Sequence, residues 1–285
     1  MGRIENIRVF EDTVTICEKS QRLRESIKNS RKNQIFIPET EQVVDESEKH
    51  HFAEEGKIIV SKKRTFEAAE NYAKKGEKVA VLNFASSTNP GGGVVSGAGA
   101  QEECLCRIST LYFTLDTDEN WERFYKPHRQ RGNPLHNDDI LYSPAVTVFK
   151  TDDLHPETLD ENQWYDVDVI TCAAPNLREM PSNRYNSGDG KEKVSLTNSE
   201  LAKLHERRDH RIFDVAAQNG AEVLVLGAFG CGAFYNDPAT VAEVMIGLAK
   251  KYVHSFKAIE FAVYCSPYDD SNYRIFEETN AKYSE

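Results

Sequence analysis

Two adjacent carboxylates, Glu102 and Glu103, offer the clearest chemistry in the chain because of what precedes them. Gln101 stands before the pair, a seven-residue spacer before that, and Asn89-Pro90-Gly91-Gly92-Gly93 before the spacer. The glycines follow an apolar run, Val79-Ala80-Val81-Leu82, that reads as a buried strand. The acid pair leads into residues 104–112, which read as a helix with apolar spacing. A strand, a glycine-rich loop and a helix in this order bring backbone N–H groups close to an anion such as a phosphate. A nucleotide-hydrolysing loop would deliver a lysine at this point. Carboxylates point instead to chemistry on a sugar. Two acids in the first turn of a helix also suit the helix dipole, so an isolated Glu-Glu would need no further explanation. Neighbours on a helix point about 100° apart. The pair therefore cannot flank a glycosidic bond as the two carboxylates of an ordinary glycosidase do. One carboxyl is expected to transfer the proton and the other to hold the sugar.

Other residues could complete such a site. Gly230, Cys231 and Gly232 read as a second anion cradle, ahead of Asn236-Asp237-Pro238 and the start of a helix. Their spacing is not the dinucleotide fingerprint. Asn83 and Asn89 could bond ribose hydroxyls, Asn89 being the better placed, although asparagine in a turn also serves its own backbone. Cys104, Cys106 and Cys231 have no His or Asn partner in a recognisable nucleophile arrangement. His136 and His155 lie in polar loops and are expected to face solvent. The clusters Arg207-Arg208 and Lys62-Lys63-Arg64 read as solvated helix ends.

The elements that must position these residues alternate. Residues 11–30 read as one amphipathic helix, with Val14, Ile16, Leu23 and Ile27 among charges. An acidic connector over 39–56 is the one internal boundary, so residues 1–55 are expected to form a helical extension packed on a catalytic domain of residues 56–285. Strands are expected at 58–60, 79–84, 140–149, 167–173, 223–226 and 258–264. Pro144 makes the strand over 140–149 a candidate edge. Helices fit residues from 65 onward, 198–219, 238–253 and 270–282. Helices alternating with near-continuous apolar strands give an α/β, three-layer design with ligands beyond the strand carboxyl ends.

The Gly-Gly-Gly, spacer, Gln-Glu-Glu arrangement resembles the signature of poly(ADP-ribose) glycohydrolases built on a macrodomain, and of the microbial type in particular. Phe10-Glu11-Asp12-Thr13 through Cys17, then Val169-Ile170-Thr171-Cys172-Ala173-Ala174-Pro175-Asn176, then Leu226 through Phe234 with Asn236-Asp237-Pro238, occur in the family's order. The resemblance implies a macrodomain-like mixed sheet and release of ADP-ribose from poly(ADP-ribose). It makes Glu103 the acid/base, Glu102 the acceptor for ribose hydroxyls and Gln101 a brace. It brings Gly91, Gly92, Gly93, Gly230, Cys231, Gly232 and Ala233 to the diphosphate, and Phe234 to the distal ribose, where a core phenylalanine is an equal alternative. Macrodomains commonly stack adenine on an aromatic after the last strand, which suggests Tyr268 or Tyr273, with Asn272 on the same edge.

Bulk properties bound the rest. The 285 residues are 39% hydrophobic and 28% charged, as in a soluble globular protein. A net charge of −11 argues against a grip on duplex DNA and leaves anion binding to a local site. Nothing resembles a secretory leader at Met1-Gly2-Arg3-Ile4-Glu5, and Asn6 stands where a myristoylation signal wants Ser or Thr. No run is long enough to span a membrane, and six cysteines without metal-site spacing fit reduced cytoplasmic thiols. Neither a metal nor another cofactor is expected. The partners expected are ADP-ribose, its polymer and ADP-ribosylated proteins. Two alternatives share the motifs: a hydrolase of mono-ADP-ribosylated protein or nucleic acid, and a non-catalytic ADP-ribose reader, which would not need the acid pair.

Overall fold

The computed structural model describes residues 2–183 and 187–283. Seven strands form one mixed sheet in the order β1-β4-β5-β3-β6-β7-β2. They are β1 (Ile35–Ile37), β2 (Lys57–Ser61), β3 (Val79–Phe84), β4 (Ile140–Val148), β5 (Tyr165–Cys172), β6 (Val223–Leu226) and β7 (Ala258–Ala262). From β5 to β2 all neighbours are parallel, while β1 and β4 run antiparallel to theirs. Parallel strands covered on both faces need apolar residues at every position, which is why β3 reads as a continuous run.

Helices cover both faces. The first half contributes α1 (Arg3–Lys19), α2 (Gln21–Asn33), α3 (Thr65–Ala73), α4 (Gln101–Ile108) and α5 (Leu111–Leu115). Next, α6 (Asp118–Asn120) passes through a π-helical stretch (Trp121–Tyr125) into α7 (Lys126–Arg131). Then follow α8 (Asn198–Gln218), α9 (Pro238–Lys251) and α10 (Ser271–Lys282). Alternation along the strands divides the core. Leu82, Ile170 and Leu224 meet Ile212, Phe213, Met245 and Phe276 of α8, α9 and α10. Val81, Val169 and Val225 meet Phe66, Ala69, Leu105, Ile108 and Leu111 of α3, α4 and α5 on the other face. The result is the three-layer α/β design that the alternating pattern implies.

Several expectations need correction. The single helix over 11–30 is two helices. Ser20 is extended, and its hydroxyl accepts the Leu23 N–H, capping α2. Residues 104–112 likewise do not continue as one helix, because Ser109 is extended and ends α4. The strand with Pro144 is not the edge strand of the sheet, since β1 pairs with its Ile140–Tyr142 part, although Pro144 itself lies beyond that pairing. Pro144 is absorbed by a register shift between Ser143 and Val146, where Ala145 takes a φ of 53° and gives its N–H to Asp168 Oδ1 at 2.8 Å. Arg208 is buried rather than solvated, with its Nε 2.8 Å from Asp138 Oδ1.

The first 55 residues contribute β1 to the sheet and touch the second helical layer. Thr13 Oγ1 donates to the Arg107 carbonyl, and Phe10 meets Tyr112 edge to face at 4.9 Å. Lys150 Nζ reaches Asp12 at 2.7 Å. The acidic connector is pinned to α8 by Asp214, whose Oδ1 accepts the Glu46 N–H at 2.9 Å. Ligand-type atoms of Asp45, His210 and Asp214 lie within 4.8 Å of one another. His210 Nδ1 already bonds Asp214 Oδ2 at 2.9 Å, and Asp214 Oδ1 also accepts the Tyr252 hydroxyl, so the group is a clamp on the connector.

Candidate active site

Parallel strands put their carboxyl ends on one side, so the loops after β3, β5 and β6 must open together. They do so around a crevice of about 870 Å³, lined by residues of all three loops and by α4. That size suits a small-molecule ligand. The segment after β2, the stretch around Asp152 and the chain after β7 complete the walls.

Glu102 and Glu103 both line the crevice from the first turn of α4 and are 2% and 7% exposed. Their environments differ. Glu102 Oε2 accepts the Ser86 N–H at 2.7 Å and Oε1 accepts the Asn83 amide at 3.1 Å. Burial and the neighbouring Glu103 carboxylate hold the Glu102 carboxyl well above the usual carboxylate range, against the lowering pull of those two bonds. Glu103 Oε1 accepts the Gly93 N–H at 2.8 Å, while its Oε2 is buried and has no partner among the described residues. A buried carboxyl oxygen without a partner is costly. Here that oxygen belongs to a residue that lines the crevice.

Gly92 makes this possible. It has a φ of 60°, and a Cβ there would stand 2.4 Å from Glu103 Oε1. The glycine run therefore makes room for the acid, and its N–H groups are not all turned to a ligand as expected. The Gly93 N–H serves Glu103, and the Gly92 N–H closes a turn on the Asn89 carbonyl at 3.0 Å. Gly92 lines the crevice; Gly91 and Gly93 do not. Gln101 braces two elements: its amide donates to the Leu82 carbonyl at 2.8 Å and accepts the Phe84 N–H at 2.9 Å.

The second loop offers the better anion cradle. Gly230, Gly232, Ala233 and Phe234 line the crevice, and among the described residues none of their N–H groups has a hydrogen-bond partner. Gly230 has a φ of 78°, and a Cβ would sit 2.7 Å from Ala174 Cβ and from Asn236 Nδ2. Asn236 fastens the loop by donating to the Pro175 carbonyl at 2.7 Å, and His205 Nε2 lies 2.8 Å from its Oδ1. The start of α9 is not part of the cradle as expected, because Asp237 caps it by accepting the Thr240 N–H at 2.9 Å. Cys231 does not line the crevice, and its N–H bonds the Ala228 carbonyl at 3.1 Å. Burial pushes the thiols of Cys104, Cys106 and Cys231 up, away from the thiolate that a nucleophile needs.

Asn89 does not line the crevice either. Its amide donates to Thr88 Oγ1 and the Ser187 carbonyl at 3.0 and 3.1 Å, and Arg129 donates to its Oδ1 at 2.8 Å. It ties two loops together. Tyr268 is 96% exposed and Tyr273 packs under Lys62; neither reaches the crevice, although Asn272 does. The aromatic that lines it after β7 is Tyr264, 44% exposed, with the Arg64 guanidinium 4.0 Å from its ring centre. The His136 side chain is buried rather than solvated: Nδ1 lies 2.7 Å from the Ala174 carbonyl, Nε2 lies 3.3 Å from Asp189 Oδ2, and the ring backs Phe234 at 5.8 Å.

Sequence reasoning missed Arg64, Asp152, Tyr264 and Arg178 in the walls. Asp152 Oδ2 accepts the Phe66 N–H at 2.9 Å at the start of α3, and burial pushes its carboxyl up to about 6. An Asp aimed at another element's first turn leaves no local signal. Tyr264 falls within the strand expected over 258–264, but β7 ends at Ala262 and leaves it in the wall of the crevice.

Among the described residues, no helix is long and apolar enough to cross a membrane. No curated protein sequence matches the chain. Residues 5–151 match the family model for the microbial-type PARG catalytic domain. The poly(ADP-ribose) glycohydrolase of Thermomonospora curvata, bound to the inhibitor ADP-HPD, is 30% identical over 97% of this chain and 99% of that chain, with a TM-score of 0.81. The Deinococcus radiodurans poly(ADP-ribose) glycohydrolase in complex with ADP-ribose is 28% identical over 91% of this chain and 98% of that chain, with a TM-score of 0.74. With a matching family model over half its length and full-length structural likeness at this identity, the chain belongs to the microbial-type poly(ADP-ribose) glycohydrolase family.

Proposed function

We propose that the protein hydrolyses the ribose–ribose O-glycosidic bonds of poly(ADP-ribose) and releases ADP-ribose, with Glu103 as the acid and then the base. The buried, partnerless Oε2 of Glu103 in the wall of the crevice carries this reading. Protonated Glu103 gives its proton to the leaving ribose oxygen as the C–O bond breaks. The ribosyl fragment left behind is an oxocarbenium-like cation, stabilised by its own diphosphate in the cradle of N–H groups of Gly230, Gly232, Ala233 and Phe234. Deprotonated Glu103 then takes a proton from the attacking water, and the acid is restored. Glu102 holds the distal ribose: each of its oxygens accepts one protein hydrogen bond and keeps a second lone pair for a hydroxyl. Phe234 packs against that ribose, and adenine stacks on Tyr264, whose other face is covered by Arg64.

The six cysteines are free thiols, which supports a reducing, cytoplasmic location. The protein partners that follow from this reading are those carrying ADP-ribose polymer. The test is release of ADP-ribose from automodified polymer set against release from a mono-ADP-ribosylated protein. Turnover of polymer is expected. Release from the mono-modified target alone would overturn the polymer reading in favour of a mono-ADP-ribosyl hydrolase, and binding without any release would make the protein a reader.

A further inference from the structure

We propose that Arg178 binds the phosphates of the departing polymer chain, on the far side of the bond that Glu103 cleaves; this rests on the polymer reading above. Three cations line the crevice among the described residues: Arg64, Arg107 and Arg178. Arg107 is buried and engaged, with Nη1 on the Ala98 carbonyl at 2.6 Å and Nη2 on Cys104 Sγ at 3.1 Å. Arg64 is stacked on Tyr264, and the Asp152 carboxylate beside it offsets its charge.

Arg178 differs from both. Its guanidinium makes one hydrogen bond among the described residues, from Nε to the neutral Ala233 carbonyl, and both Nη groups are left over. Among the described residues no carboxylate pairs with it, and the adjacent Glu179 is paired with Lys193. The group is also held in place. The Arg178 N–H donates to Asn176 Oδ1 at 3.3 Å, and the Leu177 N–H donates to the Phe234 carbonyl at 2.9 Å. Its Cζ then stands 5.8 Å from the centre of the Phe234 ring.

Phe234 marks the distal-ribose end of the crevice in the reading above. The oxygen that leaves this ribose belongs to the next ADP-ribose unit, which carries a diphosphate of its own. A chain of net charge −11 repels such a polyanion at long range, so recognition of the departing unit needs a local cation that no carboxylate neutralises. A guanidinium with two free Nη groups matches a phosphate in geometry as well as charge. Free ADP-ribose has no departing unit and does not draw on Arg178.

The experiment uses the full chain with Arg178→Ala and Arg178→Lys. Release of ADP-ribose from polymer is followed at low and high salt, and ADP-ribose binding is measured by calorimetry. Arg178→Ala should raise the KM for polymer about tenfold at low salt, the size expected for a lost charge-assisted hydrogen bond. Affinity for ADP-ribose should stay as it was, which also shows that the variant is folded. Arg178→Lys should restore part of the loss, and added salt should close the difference. An unchanged KM for polymer would overturn the proposal. So would an equal loss of ADP-ribose affinity, which would assign Arg178 to the product's own diphosphate. No release by the unsubstituted protein would overturn the polymer reading itself, and that failure shows before any variant is compared.

Discussion

At the scale of single residues, the two glutamates are distinguished by what bonds them. Adjacent in sequence and alike in burial, they differ in that Glu102 has both oxygens engaged and Glu103 has one oxygen free. Replacing Glu103 by Gln keeps the shape and removes the proton. ADP-ribose binding should persist while turnover falls about 10²–10⁴-fold, the range for general acid–base catalysis. Retention of most of the turnover would sink the assignment. Glu102 makes a different prediction, about stability. Its carboxyl is raised in the folded state by burial and by Glu103, so the folded protein holds a proton that the unfolded chain gives up. Stability from this group is fully present below the unfolded carboxylate pKa of about 4.3 and is lost as pH rises toward the raised value. Glu102→Gln removes that loss, and the buried Asn83 Oδ1, which lacks a partner among the described residues, can accept from the new amide after an amide rotation. The Tm difference between variant and parent should therefore grow from pH 5 to pH 8. A difference that does not change with pH would show that Glu102 is not the source. Activity of the same variant should fall, because an amide offers one acceptor oxygen to the sugar where the carboxyl offered two.

At the scale of elements, the glycine-rich loop is held from outside by α1. Asn6 donates to the Gly97 carbonyl at 3.0 Å, Arg3 Nε donates to the Ser96 carbonyl at 2.6 Å, and Thr13 reaches the Arg107 carbonyl of α4. All three contacts fall on the spacer between the glycines and the acid pair or on the helix that carries the pair. We propose that the first helices are a brace for the site and not a detachable arm. Short helices gain most of their stability from packing, so α1 and α2 need this contact as much as the loop does. Asn6→Ala should lower kcat more than it lowers Tm, because one lost hydrogen bond costs only about 1 kcal/mol of stability while a slack loop misplaces Glu103. Removing residues 1–33 should lower Tm as well. A truncated protein with full activity and an unchanged Tm would show that the helices are a separate arm.

At the scale of the whole molecule, the sheet order sets where binding happens. β3 lies between β5 and β6, all three parallel, so three loops far apart in sequence open side by side. The cradle in the loop after β6 is built of backbone N–H groups, which need no cation to hold a diphosphate. ADP-ribose should therefore bind and inhibit, with affinity and turnover unchanged by chelator. A strict requirement for added Mg²⁺ or Zn²⁺ would overturn this mechanism. ADP should bind more weakly than ADP-ribose, because it lacks the ribose that Glu102 and Phe234 are proposed to hold. Equal affinities measured by calorimetry would count against the distal-ribose assignment.

The sequence by itself determined whatever depends on neighbours along the chain. The apolar runs of β3, β5 and β6 declare strands buried on both faces, and Gly91-Gly92-Gly93 ahead of Gln101-Glu102-Glu103 declares a loop that brings acids to a ligand. Those signals are local, since strand burial and helix starts are written within a few residues. Tertiary structure decided what depends on partners far away. Only folding shows that the Gly93 N–H is consumed by Glu103, that the free N–H groups belong to the second loop, and that Asn89 binds a neighbouring loop. The same holds for Tyr264 in place of Tyr268, for β1 pairing with the start of β4, and for the burial of Arg208 and of the His136 side chain. The deciding atom lies ten residues away for Gly93 and 98 for Asn89, and a hydrogen bond across such a distance leaves no periodicity to read.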